Sequence, residues 1–120
     1  MKLLLLIGLG GCLGAICRAL LSTWLNPKNG FAYGTLCVNA AGTLLLGILT
    51  GYFMQRADSV WKPILGTGFL GGLTTFSTFS IETLQLLMSE LWTIGILYFL
   101  SQILLGLGMG LIGLKIGQLL

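Results

Sequence analysis

The chain has 120 residues, of which 56% are hydrophobic and 8% charged, with 19 glycines and a mean hydropathy of +1.01. Ordinary soluble domains carry about 25% charged residues, so too few polar side chains are present to cover a water-exposed surface. Six Lys+Arg against three Asp+Glu leave a formal charge of +3. These charges are scattered singly and form no basic run, which argues against nucleic acid as a partner and for charges that mark the ends of membrane spans.

A helical span takes ~20 residues. The length therefore predicts one membrane domain, residues 1–120, with four spans and very short connections. The first, residues 3–25, follows Lys2 and is apolar except for Arg18, Ser22 and Thr23; it stops at Asn26-Pro27-Lys28-Asn29-Gly30. Its apolar stretch is longer than a signal core and carries a late arginine, so it reads as a retained span. The second, residues 33–54, stops at Gln55-Arg56-Ala57-Asp58-Ser59. The third, residues 63–88, is entered through Trp61-Lys62-Pro63, with Pro63 suited to a first helical turn. After Ser89-Glu90 the fourth occupies residues 91–115. Trp24, Trp61 and Trp92 fall near span ends, where aromatic belts form. The expected fold class is an all-α integral membrane protein with four transmembrane helices per subunit, in the cell (inner) membrane.

With an even number of spans both termini share a side. That side carries Lys2, Arg56, Lys62 and Lys115, against Lys28 and a snorkelling Arg18 on the other. The bias favours cytoplasmic termini but is modest, and charges this few allow insertion in both orientations. Cys12, Cys17 and Cys37 lie in apolar stretches without metal-ligand spacing and read as buried small hydrophobes, with no disulfide expected.

Glycine patterning predicts helix packing. Gly106, Gly110, Gly113 and Gly117 form one face of the fourth helix, Gly10 and Gly14 a GxxxG pair in the first, and Gly47 and Gly51 another in the second. Small residues at this spacing let helix backbones approach closely. A subunit this small has little interior to spare, so any conduit is expected between subunits.

Three features are expensive in hydrocarbon. Arg18 lies about two-thirds along the first helix, where a mid-span arginine costs about 2.5–3.5 kcal/mol. It is either a snorkelling anchor or a permanent cation at the mouth of an anion path. Asn39 stands mid-helix in the stripe Thr35, Asn39, Thr43; its amide either bonds another helix or lines a wet path as an anion donor. The third span holds Gly71-Gly72-Leu73-Thr74-Thr75-Phe76-Ser77-Thr78-Phe79-Ser80 at its middle. Glycines and hydroxyls weaken a helix there, and non-helical backbone at membrane depth survives only when buried in protein or lining water. A break would free carbonyl oxygens, hard ligands suited to a hard cation such as sodium.

Phe76 and Phe79 follow on one face, beside a polar stripe of Thr75, Thr78, Glu82 and Gln85. They are either packing residues or ring edges for a bare anion, since a phenyl edge is electropositive. Ring edges alternating with hydroxyl donors bind weakly enough to release. Glu82 is awkward on that reading, because a carboxylate repels anions.

The run Gly-Phe-Leu-Gly-Gly-Leu-Thr-Thr-Phe-Ser-Thr-Phe-Ser-x-Glu from Gly68 to Glu82 resembles the signature of the Fluc (CrcB) fluoride channels. Gly10-Gly11-x-x-Gly14-Ala15-x-x-Arg18 and Gly34-Thr35-Leu36-x-Val38-Asn39-x-x-Gly42 resemble that family's first and second helix motifs, and Tyr98, Ser101 and Gly106 match its fourth loosely. The resemblance implies an antiparallel, dual-topology homodimer with two narrow fluoride pathways and a third helix broken mid-membrane. It implies Phe76 and Phe79 as ring-edge ligands and Asn39 as a pore-lining donor. Ser77, Thr78, Glu82 and Ser101 would form a polar track. The carbonyls of Gly71 and Thr74 would hold a structural sodium ion that is not transported. The implied activity is passive export: neutral HF crosses bilayers and dissociates inside, and a fluoride pathway under negative-inside voltage lets the anion leave. No nucleotide loop, nucleophile–base pair or metal-ligand cluster appears, so an enzyme is not expected. The alternative is a small four-helix proton-coupled multidrug exporter. That chemistry needs an embedded carboxylate, typically in the first helix; here the first helix has an arginine, and Glu82 is the only candidate.

Overall fold

A computed structural model describes residues 1–27, 30–54, 56 and 59–120. Lys28 and Asn29 of the first predicted stop, and Gln55, Ala57 and Asp58 of the second, lie outside the described residues, so the topology role expected of Lys28 does too. Helix α1 spans Lys2–Leu25, α2 Tyr33–Phe53, α3 Trp61–Pro63, α4 Gly71–Leu73, α5 Phe76–Met88 and α6 Trp92–Leu119, with a π-helical stretch, Ile64–Leu70, joining α3 to α4. Four stretches are long and apolar enough to cross a membrane: α1, α2, the third span Trp61–Met88, and α6. The fourth runs past Lys115 to Leu119, further than the charge suggests, because a lysine stem can lie along an apolar helix and release its head at the end.

Local chemistry sets the ends. Asn26 leaves the helix with φ −81° and ψ 124°, since the residue before a proline is pushed out of the α region. At the α5–α6 corner the N–H of Leu91 donates to Leu86 O, and that of Glu90 to Leu87 O. Glu90 itself has φ +63°. This is a Schellman-type ending that normally takes glycine at the left-handed position.

In the third span, the Gly71-Gly72 pair remains helical within α4. The extended residues are the next two, Thr74 (φ −80°, ψ 153°) and Thr75 (φ −149°, ψ 122°). β-branched side chains tolerate that geometry well. The Thr75 side chain then caps α5, with its Oγ1 accepting from the N–H of Thr78 at 3.2 Å.

Two glycine seams hold the bundle together, each between parallel helices. In the first, α1 lies against the third span. A Cβ at Gly14 would collide with Phe69 O and stand 2.8 Å from the Leu73 nitrogen, and one at Gly10 would sit 2.9 Å from Ile64 O. In the second, α2 lies against α6, where a Cβ at Gly47 would sit 2.7 Å from Gly110 O, and Gly113 and Gly117 abut the backbone of Leu44 and Ile48. The fourth-helix glycine face is thus shorter than its periodicity suggests: Gly106 has nothing within 4 Å of a built Cβ. The interior is small, with one cluster of Ala32, Phe79, Leu86 and Tyr98 and another of Val38, Leu70 and Leu73. Cys12 and Cys37 are exposed and only Cys17 is half-buried, all three free. The expectation of buried cysteines fails because the seams fill with glycines, leaving Cys12 and Cys37 on outward faces. Leu4, Leu13, Leu20, Leu104 and Leu111 are likewise exposed, a surface that fits acyl chains and marks a multi-pass membrane protein.

The ends sort consistently. Arg56 lies over the Tyr52 ring at 3.9 Å and donates to Tyr52 O and Leu120 O, both at 2.9 Å. The loop after α2 and the end of α6 therefore share one end of the bundle.

Alanine normally stabilises a helix over glycine by about 1 kcal/mol. At Gly14 overpacking reverses the sign: Gly14→Ala should lower stability in detergent by about 1–3 kcal/mol, whereas Gly8→Ala, with open space around it, should not. At the corner, Glu90→Gly should raise stability by about 1 kcal/mol by relieving the left-handed φ. Thermal unfolding of the solubilised variants reads all three.

Candidate functional site

The extended pair Thr74-Thr75 creates backbone groups that the helix cannot satisfy, and α2 supplies the partner. Asn39 Oδ1 accepts from the Thr75 N–H at 2.8 Å, while Asn39 Nδ2 donates to Thr75 O at 3.0 Å. One side-chain amide thus pairs both polar groups of one residue, as a neighbouring strand would. The second hydrogen of Nδ2 goes to Gln102 Oε1 at 3.1 Å. Of the two readings the sequence leaves open for Asn39, the first is seen here: it bonds other helices, and both its hydrogens are engaged within the subunit.

From Gln102 the hydrogen bonds run on in one direction. Gln102 Nε2 donates to the Tyr98 hydroxyl at 3.0 Å, and that hydroxyl donates to Glu82 Oε2 at 2.6 Å. Glu82 Oε1 accepts from Thr35 Oγ1 at 2.8 Å and from Asn26 Nδ2 at 3.2 Å. Every neighbour donates to Glu82, as an acceptor-only carboxylate requires. An acidic residue costs about 2.5–3.5 kcal/mol at the centre of a span and less toward its end, where Glu82 stands in Trp61–Met88, and hydrogen bonds to a charged group return about 1.5–3 kcal/mol each. Three of them outweigh the cost. The carboxylate is tolerable here because its neighbours on α2, α6 and the end of α1 carry its charge.

Two clefts flank this chain. One, of about 240 Å³ at the interruption, is lined by Asn39, Thr43, Thr74, Thr75, Phe76, Phe79, Gln102, Ile103 and Gly106. The other, of about 540 Å³, includes Asn26, Glu82, Gln85 and Ser89 in its wall. Asn39 and Gln102 face the first, Asn26 and Glu82 the second, and Tyr98, fully buried, joins them.

The two phenylalanines differ. Phe79 is 3% exposed and Phe76 75% exposed, with ring centroids 5.5 Å apart at 70°, edge to face. Phe79 is held by Tyr98 at 5.9 Å and by stacking on Phe99 at 5.7 Å. Ser77 and Thr78 are exposed beside them. Their oxygens lie 3.4 Å and 3.0 Å from Thr75 Oγ1. Arg18 is half-buried on α1 and joins no hydrogen bond among the described residues; Ser101 likewise stays out of the chain. Its neighbour Gln102 holds the position instead.

Sequence reasoning missed Gln102, Tyr98 as a hydrogen-bonding centre, and Asn26. Asn26 carried a signal, standing four and eight residues after Ser22 and Arg18 on one helical face, but it read as the start of a loop. Gln102 sits in an apolar helix with no polar stripe to flag it.

The carbonyls of Gly71 and Thr74 fit a hard cation. Their helical partners would be the amides of Thr75 and Thr78, and these are given to Asn39 Oδ1 and Thr75 Oγ1. Both oxygens are left as hard acceptors, and Gly71, being exposed, has no side chain to cover its own.

Comparison with known proteins agrees with this architecture. The family model of CrcB-like protein, Camphor Resistance (CrcB), matches residues 5–114. The fluoride-specific ion channel FluC of Oceanobacillus iheyensis is 41% identical over 118 residues, covering 97% of this chain and 92% of the relative. Its counterpart from Clostridium perfringens is 45% identical over 120 residues, covering 97% and 91%. A FluC of Nitratiruptor sp. is 44% identical over 101 residues, covering 82% and 79%. With matches spanning nearly the whole chain and including the run that builds the interruption, the chain belongs to the CrcB family.

Proposed function

We propose that this protein is a fluoride-specific channel that passes the anion down its electrochemical gradient, without a proton-coupled or covalent step. The observation that carries the reading is the cleft at the interruption, where an edge-to-face phenylalanine pair adjoins hydroxyl and amide groups. A small, strongly hydrated anion needs replacements for its water. Ring edges provide weak positive potential, and Ser77, Thr78 and the second amide hydrogen of Gln102 provide donors. None is a fixed cation, so the anion binds and leaves. Asn39 serves by holding the interruption in shape, Arg18 by raising the local anion concentration at the mouth, and Ser101 by extending the polar wall along α6. Glu82, saturated by three donors, ends the polar chain without presenting a bare charge.

The assembly is an antiparallel, dual-topology homodimer, with the third helix interrupted at mid-membrane. An interruption at that depth meets its inverted copy at the same level. Phe76, three-quarters exposed beside an apolar groove formed with Leu84, Ile96 and Leu100, completes each pathway against the second subunit. The Gly71 and Thr74 carbonyls would hold a sodium ion, which would supply the positive charge that binds these oxygens as a structural cross-link and would be neither transported nor reactive.

Purified protein reconstituted alone into liposomes should release fluoride rapidly and chloride not at all, measured with ion-selective electrodes. Proton-coupled movement of an organic cation instead would assign Glu82 to an exporter. Phe79→Ile and Phe76→Ile should each abolish fluoride flux while the dimer persists by size exclusion. Undiminished flux in both would reduce the rings to packing. Replacing sodium with N-methylglucamine should weaken the dimer and lower flux together.

A further inference from the structure

We infer that Asn26 is a positioning residue for the anion pathway, holding the Glu82 carboxylate in place through a single amide that also starts α2. The inference rests on the channel reading above and deepens it.

The geometry fixes which end of the amide faces which partner. Asn26 Oδ1 accepts from the N–H groups of Gly34 and Thr35 at 2.6 Å and 3.3 Å; a backbone N–H only donates, so the oxygen must face them. Nδ2 then points to the two oxygens, Glu82 Oε1 and Thr35 Oγ1, each at 3.2 Å. Asn26 therefore does two separable jobs. Its oxygen satisfies orphan amides in the first turn of α2, a structural task. Its nitrogen touches the carboxylate, the point where the donor chain from Asn39 and Gln102 ends.

The nitrogen has a consequence for conduction. Asn26 and Glu82 both line the wider polar cleft, so Asn26 stands between that cleft and the buried chain. With Nδ2 in place, all the carboxylate's neighbours donate to it, and Tyr98 is held pointing toward Glu82. Its hydroxyl oxygen is left to accept from Gln102 Nε2, which keeps the Gln102 oxygen toward Asn39. Without Nδ2, Oε1 keeps only Thr35 and exposes unbalanced negative charge to the cleft, where it opposes an entering anion.

Aspartate at position 26 separates the two jobs. Asn26→Asp retains an oxygen for the Gly34 and Thr35 amides and replaces only the donor, setting two carboxylates against each other. Fluoride efflux from liposomes should fall roughly tenfold or more, the factor that one charge-assisted hydrogen bond carries, with the dimer unchanged by size exclusion. Adding Glu82→Gln to Asn26→Asp reverses donor and acceptor and should bring the flux up to that of Glu82→Gln alone. Wild-type flux in Asn26→Asp overturns the inference. So does a loss that the double variant fails to restore to that level, which leaves Asn26 as a cap alone. Should the aspartate variant not assemble, Asn26→Ser, whose shorter side chain cannot span both partners, takes its place, and undiminished flux there also overturns the inference. A wild-type protein that releases no fluoride sinks the channel reading itself, whereas a conducting wild type with an indifferent position 26 sinks only this one.

Discussion

Hydrocarbon offers no water to a peptide group, and that constraint governs this structure. Two residues of the third span, Thr74 and Thr75, are extended, and their polar groups must find partners inside the protein. Asn39 answers for Thr75 on both its N–H and its C=O. A hydrophobic residue at position 39 would leave both groups unpaired in a medium where each costs several kcal/mol. The interruption and the asparagine thus require each other, though 36 residues separate them.

The close helix seams serve the same end. A side-chain amide reaches from α2 to the third span and to α6 only if those backbones lie near one another. Glycines at positions 47, 113 and 117 bring α2 against α6, and Gly42, where a Cβ would collide with Thr74 Cγ2, brings α2 against the interruption. In a bilayer, packing rather than water exclusion drives such contacts. Where the seam opens, at Gly106, the narrow polar cleft appears. Packing seam and cleft are two parts of one face of α6.

Polarity along the hydrogen-bonded chain is set from both ends, by the Thr75 backbone at one and by Glu82 at the other. Tyr98 donates to Glu82, Gln102 points its nitrogen to Tyr98, and Asn39 points its nitrogen to Gln102. The Thr75 N–H holds Asn39 Oδ1 and so turns Nδ2 toward Gln102, while Glu82 accepts from Tyr98; the two ends agree on one arrangement. Glu82 thus orients the Tyr98 hydroxyl, Thr75 orients the Asn39 amide, and Gln102 between them is left one arrangement.

Much of the architecture was legible in the chain itself. Apolar runs of the right length, bounded by Asn26-Pro27 and Ser89-Glu90, gave four spans, because span length follows from bilayer thickness alone. The Gly10/Gly14 and Gly47/Gly51 pairs announced seams, and the Gly71–Ser80 run announced an irregular third span with Phe76 and Phe79 beyond it. Only tertiary structure decided the rest. Periodicity could not tell that Gly106 leaves the seam, that Cys12 and Cys37 face outward, or that the threonines rather than the glycine pair are extended, since each depends on which helix lies opposite. The roles of Asn26 and Gln102 were likewise hidden. A polar side chain declares its donors and acceptors in sequence, but its partners lie on other helices, and the direction of its hydrogen bonds is fixed only when an acceptor such as Glu82 is brought to it.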